Sequence, residues 1–153
     1  YEGYGPGGIA IMIDCLTDNK NRTAGFVRST LTKRGGNLGT DGSVSYLFDR
    51  KGVIVLDKIY DEDKLMEDIL ELDILDFISD DDSFIIYTEP NNFIEIKGAL
   101  ENKGYNDFLV SEVTFVPSNY ISLDEETEEK VNNLIDALND LDDVQSVYHN
   151  LEM

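Results

Sequence analysis

Gly3, Gly5 and Gly8 carry the spacing G-x-G-x-x-G. In a dinucleotide-binding turn that spacing follows a strand and opens a helix, so that the backbone reaches a pyrophosphate. Here the alternating run from Ile9 comes after the glycines, and no lysine follows as in a phosphate-binding loop, so the segment reads as a flexible or tightly turned entry. Asp18, Asn19 and Lys20 begin like a calcium loop but put a cation at a ligand position, and Asp80 to Asp82 lack spaced ligands and a terminal glutamate. Both read as solvated turn carboxylates, and no metal site is expected. His149 is the single histidine, so neither a histidine-rich metal site nor a Ser/His/Asp system with a spare orienting histidine can be built. Its expected role is a strand-end surface residue. Cys15, the single cysteine, falls on the more apolar face of the Ile9–Leu16 run and is expected to be a small core residue. No catalytic residue and no cofactor is expected, and the chain does not read as an enzyme.

Cations and glycines remain. Lys20, Arg22, Arg28, Lys33 and Arg34 fall between residues 19 and 34 with no acid among them. They form either a solvated helix face or a set of phosphate contacts. Directly after them come Gly35, Gly36, Asn37, Gly39 and Gly42. A helix-to-strand connection needs about 2 to 6 residues and one glycine, so four glycines mark a packing constraint or a contact surface.

These residues must be positioned by secondary structure. Ile9, Ile11, Ile13 and Cys15 alternate as in a strand. Asn19 or its neighbours cap a helix carrying Ala24, Val27 and Leu31, with Gly35 and Gly36 as its stop. Val44, Tyr46 and Phe48 predict a second strand, Asp49 to Gly52 a hairpin turn, and Val53 to Leu56 a third strand. Leu65, Ile69 and Leu72 lie on one helical face. Ile74–Ser79 and Ser83–Thr88 predict a hairpin, and Pro90 opens a helix that ends at Gly104. Glu112 to Val116 is another strand. Ser122 with Glu125 has the pattern of a capping box ahead of a helix over 124–141, and Val144 to Leu151 closes as a strand. Residues 53–116 thus read β, α, β, β, α, β, the split-βαβ order of a ferredoxin-like unit. The flanks resemble a second copy. The predicted fold class is α+β, with two ferredoxin-like split-βαβ domains, one inserted in the other. The first is discontinuous, residues 1–52 plus 122–153, and residues 53–121 form the acidic insert. Two consecutive domains sharing a hairpin is the alternative.

The 153 residues are 41% hydrophobic, which suits a packed domain and excludes a disordered tail or a fibre. No run approaches 18 apolar residues, so a membrane-spanning helix is excluded. One cysteine and no leader-like segment point to a reducing, cytoplasmic compartment. The charge is divided: residues 1–60 hold 8 Lys/Arg against 6 Asp/Glu, a net of +2, and residues 61–153 hold 4 against 26, a net of −22. That acid repels nucleic-acid phosphate at long range, so any such contact must be local to the first third.

Four segments share a pattern. The run Tyr1–Gly8 (YEGYGPGG), the segment Thr17–Thr23 (TDNKNRT), the loop Gly35–Val44 (GGNLGTDGSV) and the closing Val147–Glu152 (VYHNLE) resemble the YebC/PmpR family, in the family's order and over nearly the whole chain. The resemblance implies a regulator of gene expression, either a DNA-binding transcriptional regulator or a ribosome-associated translation factor. It implies nucleic acid, DNA or rRNA, as partner of the full-length protein, with the ribosome or basic proteins as possible partners of the acidic domain. It also implies a lysine-rich helical domain ahead of two α/β domains, and the chain as given lacks that pattern. No helix-turn-helix, zinc finger or RNP motif is present, so backbone and shape contacts should dominate.

The charge division generates the first test. This chain alone is expected to bind arbitrary duplex DNA only weakly at physiological salt, and an affinity of about 1 μM or tighter by fluorescence anisotropy would overturn that reading.

Overall fold

The computed structural model describes residues 1–152. In chain order its elements are β1 (Glu2–Tyr4), β2 (Ala10–Cys15), α1 (Lys20–Lys33), β3 (Asn37–Leu38), β4 (Phe48–Asp57), α2 (Glu62–Ile69), β5 (Asp76–Ser79), β6 (Ser83–Thr88), α3 (Phe93–Asn102), β7 (Phe108–Pro117), α4 (Glu125–Asn139) and β8 (Val144–His149). They form two four-stranded antiparallel sheets of an α+β fold. The chain divides into two compact units, one of Tyr1–Asp49 together with Pro117 onward, the other of Arg50–Val116.

The first unit has strand order β3-β1-β2-β8. Gly3 stands opposite both Ile11 and Leu38, and Ile13 opposite Val147. Amphipathic α1 and α4 bury Val27, Leu31, Val131, Leu134 and Leu138 in one core with Ile11 of the sheet. Burying a side chain of this size contributes about 1.5–3 kcal/mol, so this shared core is what holds the two helices together.

The second unit has strand order β5-β6-β4-β7, the spatial order of the split-βαβ plan expected from its sequence. Val53 to Asp57 pair with Tyr87 to Ser83, and Asp76 to Ser79 pair with Tyr87 to Phe84. Ile54, Leu56, Phe84 and Ile86 alternate inward and meet Leu65 and Leu100 of the two helices.

Three local expectations are corrected. The strand expected over Val44–Phe48 is a single 3-10 turn at Ser45–Leu47. Val44 and Phe48 are buried but Tyr46 between them is 73% exposed, so the three do not share one strand face. The sheet position is filled instead by β1, an inner strand that precedes β2 in the chain. The hairpin expected at Asp49–Gly52 is absent, because β4 runs unbroken through it and pairs Gly52 with Thr88. Finally, Asp124 rather than Ser122 caps α4, its carboxylate accepting from the Thr127 N–H at 2.7 Å. Ile121 just before is still extended, bridged to Leu151, so the helix cannot begin at Ser122.

Gly52 is glycine for lack of room, not for a turn: a Cβ there would run into the Thr88 hydroxyl and lie 2.7 Å from Cδ1 of Phe93. Gly98, inside α3, faces open space. Gly52→Ala is expected to destabilise by about 1–3 kcal/mol through overpacking, whereas Gly98→Ala should be neutral or stabilise by up to about 1 kcal/mol through helix propensity. Urea unfolding of the two variants checks this, and equal effects would remove the packing explanation.

Candidate nucleic-acid interface

Helix α1 carries the expected cations. Its N-cap Asn19 accepts from the Arg22 N–H at 3.1 Å, and the Thr17 hydroxyl accepts from the Asn19 N–H at 3.0 Å. The segment TDNKNRT is therefore first a capping device. Lys20 and Lys33, at opposite ends of the 14-residue helix, lie about 20 Å apart at 1.5 Å per residue. All five cations are exposed, but they do not make one patch. At 100° per residue Arg28 points some 140° away from Lys33.

Arg22 is already engaged. Its guanidinium reaches Asp143 at 3.2 and 3.3 Å and Asp18 at 3.4 Å. The buried Thr23 donates its hydroxyl to the same Asp143 at 2.7 Å. The Thr23 hydrogen bond and Arg22 together hold the Asp143 carboxyl below its ordinary range. These contacts tie the start of α1 to the turn before β8. Lys33 and Arg34, by contrast, have no carboxylate partner within salt-bridge distance among the described residues. They line an open groove with Lys130 and Asn133 of α4. Sequence reasoning missed those two, because a residue some 100 positions away joins the site only through the packing of α1 against α4. The usable signal was the α4 apolar stripe, which sets Lys130 and Asn133 on its flank.

The glycine loop is tied down from beneath. Gly36 ends α1, donating its N–H to the Leu31 carbonyl at 2.8 Å, and a Cβ on it would collide with the Tyr4 carbonyl oxygen. Asn37 pairs with Tyr4 in the β1–β3 ladder. Gly39 donates to the Glu2 carbonyl at 2.8 Å. The Glu2 carboxylate then accepts three backbone N–H groups, from Gly42 at 2.6 Å, Val44 at 3.0 Å and Ser45 at 2.6 Å. The Tyr4 hydroxyl donates to the Ser43 carbonyl at 3.1 Å. Glu2 and Tyr4 alternate on one side of β1, so YEGYGPGG and GGNLGTDGSV form one structure. The segment Gly5–Gly8 is tightly turned, not flexible, with Gly5 donating to the Ile9 carbonyl at 2.8 Å.

VYHNLE also acts structurally. Asn150 is buried, and its side-chain oxygen accepts from the Ala10 N–H at 2.9 Å. His149 is half-buried, its Nδ1 accepting from the Leu151 N–H at 3.2 Å, and burial pushes its pKa down. Burial pushes the Cys15 thiol up, as befits a residue packed against the core. Among the described residues no group of three or more His, Cys, Asp or Glu is arranged to hold a metal ion.

The fold and this surface define a two-unit α+β protein whose distinctive residues build the first unit and whose exposed Lys33 and Arg34 end its first helix. Residues 1–151 match the TACO1/YebC second and third domain, and the chain belongs to that family. It is 56% identical over 151 residues to a probable transcriptional regulatory protein of Francisella tularensis subsp. tularensis, covering 98% of this chain and 60% of the relative. It is 54% identical over 154 residues to the probable transcriptional regulatory protein PBPRA1113 of Photobacterium profundum, covering 100% and 62%. The chain thus spans about three-fifths of these relatives. The crystal structure of the conserved hypothetical protein Aq1575 from Aquifex aeolicus superposes with a TM-score of 0.82 at 45% identity, covering 99% of this chain and 63% of that one. Among the described residues no helix is long and apolar enough to cross a membrane.

The Glu2 contacts set a pH dependence. Burial raises its pKa, but the three N–H donors outweigh this and hold the folded value below the ordinary 4.5. A depressed carboxylate stabilises the fold above its unfolded value, and the contribution is lost as pH falls through the folded value. Glu2→Ala is expected to lose about 1–3 kcal/mol at neutral pH by stranding loop N–H groups. Below pH 4.5 the stability gap to the parent should narrow. A gap in the urea midpoint that does not change with pH would rule out the carboxylate as its cause.

Proposed function

We propose that this protein is a regulator of gene expression that works through nucleic acid, as a DNA-binding transcriptional regulator making backbone and shape contacts, and that it is not an enzyme. The observation that carries this reading is the 54–56% identity, over nearly the whole chain, to proteins named probable transcriptional regulatory proteins. The chemistry of the chain is consistent with it. Glu2 and Asp124 are spent on a loop tie and a helix cap, and exposed Lys33 and Arg34 have no salt-bridge partner among the described residues. The reading places the protein in the cytoplasm, away from membranes and without a cofactor.

A second reading is favoured by the charge of the inserted unit. Arg50–Val116 holds 6 Lys/Arg against 17 Asp/Glu and exposes Ile59, Leu70 and Ile94. Acid interleaved with apolar side chains suits basic proteins better than phosphate. The alternative is therefore a ribosome-associated translation factor that contacts rRNA and basic ribosomal proteins.

The test uses a full-length relative such as the Photobacterium profundum protein beside this chain. Promoter-fragment binding at about 150 mM salt, with a log–log salt slope near −0.9 per neutralised phosphate, supports the transcriptional reading. Co-sedimentation with ribosomes without affinity for the fragment moves the assignment to translation. Failure of both assays sinks both readings.

A further inference from the structure

We propose that the groove between the end of α1 and the flank of α4 is a docking site for the phosphates of a nucleic-acid backbone. Lys33, Arg34, Gly35 and Pro6 form one side and Lys130 and Asn133 the other, around about 650 Å³ of open space. This rests on the nucleic-acid reading above and gives it a location.

Three cations and no carboxylate line this opening, in a chain of net charge −20. Two other openings of the first unit are of different character. One holds Arg22 with Asp140, Asp142 and Asp143, and another is lined by Asp124, Glu125, Glu126 and Glu129. Of the three groove cations only Lys130 makes a salt bridge among the described residues, with Glu126 at 3.9 Å, the two side chains being 62% and 84% exposed. So loose a surface pair contributes almost nothing and yields readily to a competing anion. Three like charges around one opening repel each other until an anion enters, and the Asn133 amide adds a neutral donor.

Two features keep the site accessible. Gly35 has φ of +85°, and a Cβ there would sit 3.5 Å from Cγ of Pro6, so glycine holds the chain reversal open without narrowing the groove. The negative end of the α1 dipole would oppose an anion, but two of its terminal carbonyls are already occupied: Leu31 accepts from the Arg34 and Gly36 N–H groups at 3.2 and 2.8 Å, and Thr32 accepts from the Gly35 N–H at 3.5 Å. Apart from Glu126, most acids of α4 are solvent-exposed, where salt screening weakens their opposition.

The shape chooses among phosphates. Lys33, Arg34, Gly35, Lys130 and Asn133 are all exposed, so the groove is open along its length. A small phosphorylated metabolite is held in a cavity that buries most of its surface. An open cationic trough instead suits a polymer that presents successive phosphates, with water completing the contacts.

The test titrates this chain with a mixed-sequence single-stranded 20-mer at about 50 mM salt, followed by fluorescence anisotropy and by the backbone amide shifts of Gly35 and Asn133. Inorganic phosphate is the second probe. Lys130→Ala is expected to weaken oligonucleotide binding about 3- to 10-fold and to lower the salt slope by about one, with Lys130→Arg restoring both. Lys20→Ala should leave affinity within about twofold, that side chain lying at the other end of α1, about 20 Å from Lys33. Circular dichroism melting confirms that each variant is folded. Binding that is unaffected by Lys130→Ala and by Lys33→Ala/Arg34→Ala overturns the groove while leaving the nucleic-acid reading intact. Amide shifts with inorganic phosphate but no oligonucleotide binding overturn the backbone assignment, while the nucleic-acid reading stands or falls with the full-length assays above. Binding of neither probe overturns the groove as an anion site.

Discussion

The first unit depends on a close approach of backbone to backbone. The end of α1 passes so near to β1 that a methyl group on Gly36 would strike the Tyr4 carbonyl, and one on Gly3 would lie 2.7 Å from the Asn37 carbonyl. Only at that distance can the two-residue β3 join the sheet beside β1. Only then does the Glu2 carboxylate come within reach of the loop N–H groups at Gly42, Val44 and Ser45. A loop of eight residues that would otherwise sample many conformations is thereby held by one carboxylate and one tyrosine hydroxyl. The direction in which Lys33 and Arg34 leave α1 follows from the same approach, because Gly35 and Gly36 reverse the chain directly after them.

Local pairing, not net charge, decides what each cation can do. Arg22 is neutralised by Asp143 and Asp18, a structural tie that leaves little charge for an external phosphate. Lys33 and Arg34 sit about 20 Å from the start of the same helix, at a distance over which salt screens the Arg22 cluster. A helix that reads as one basic stretch is therefore two electrostatically separate ends. The second of these gains its third cation from α4.

The inserted unit closes on itself by a different economy of contacts. Its split-βαβ sheet is covered by α2 and α3, and Tyr60 meets Tyr105 edge-on at 4.9 Å. The Tyr105 hydroxyl donates to Asp68 at 2.5 Å. Burial and the Asp68 carboxylate push the Tyr105 pKa well above its ordinary value, so it stays a neutral donor at any physiological pH. This anchors the loop after α3 to α2, and it explains one of the many acids of the unit as structural. Asp61 caps α2 and Asp107 accepts from the Tyr60 hydroxyl at 2.8 Å, while most of the other carboxylates lie on the surface and give the unit its sign.

The residue pattern determined every α-helix, the alternation of β2, the strand runs at 53–56 and 83–88, and the split-βαβ order of residues 53–116, because those features rest on periodicities of 3.6 and 2 and on apolar runs that local sequence displays directly. The four motifs were legible as a family resemblance, yet their jobs were not. That Glu2 holds a loop 40 residues away, that Asn150 accepts from Ala10, and that Asp143 binds Arg22 and Thr23 are contacts between distant parts of the chain, which no local spacing encodes. The same limit produced the errors at residues 44–52. Val44, Tyr46 and Phe48 satisfy a strand's alternation, and Gly52 satisfies a turn's composition, until the β1 strand takes the sheet position and Phe93 and Thr88 crowd Gly52 into a continuous β4. Likewise the sequence placed Lys33 and Arg34 beside a glycine loop, but only the packing of α1 against α4 brought Lys130 to them, since burial of the apolar stripes sets which flanking polar residues meet.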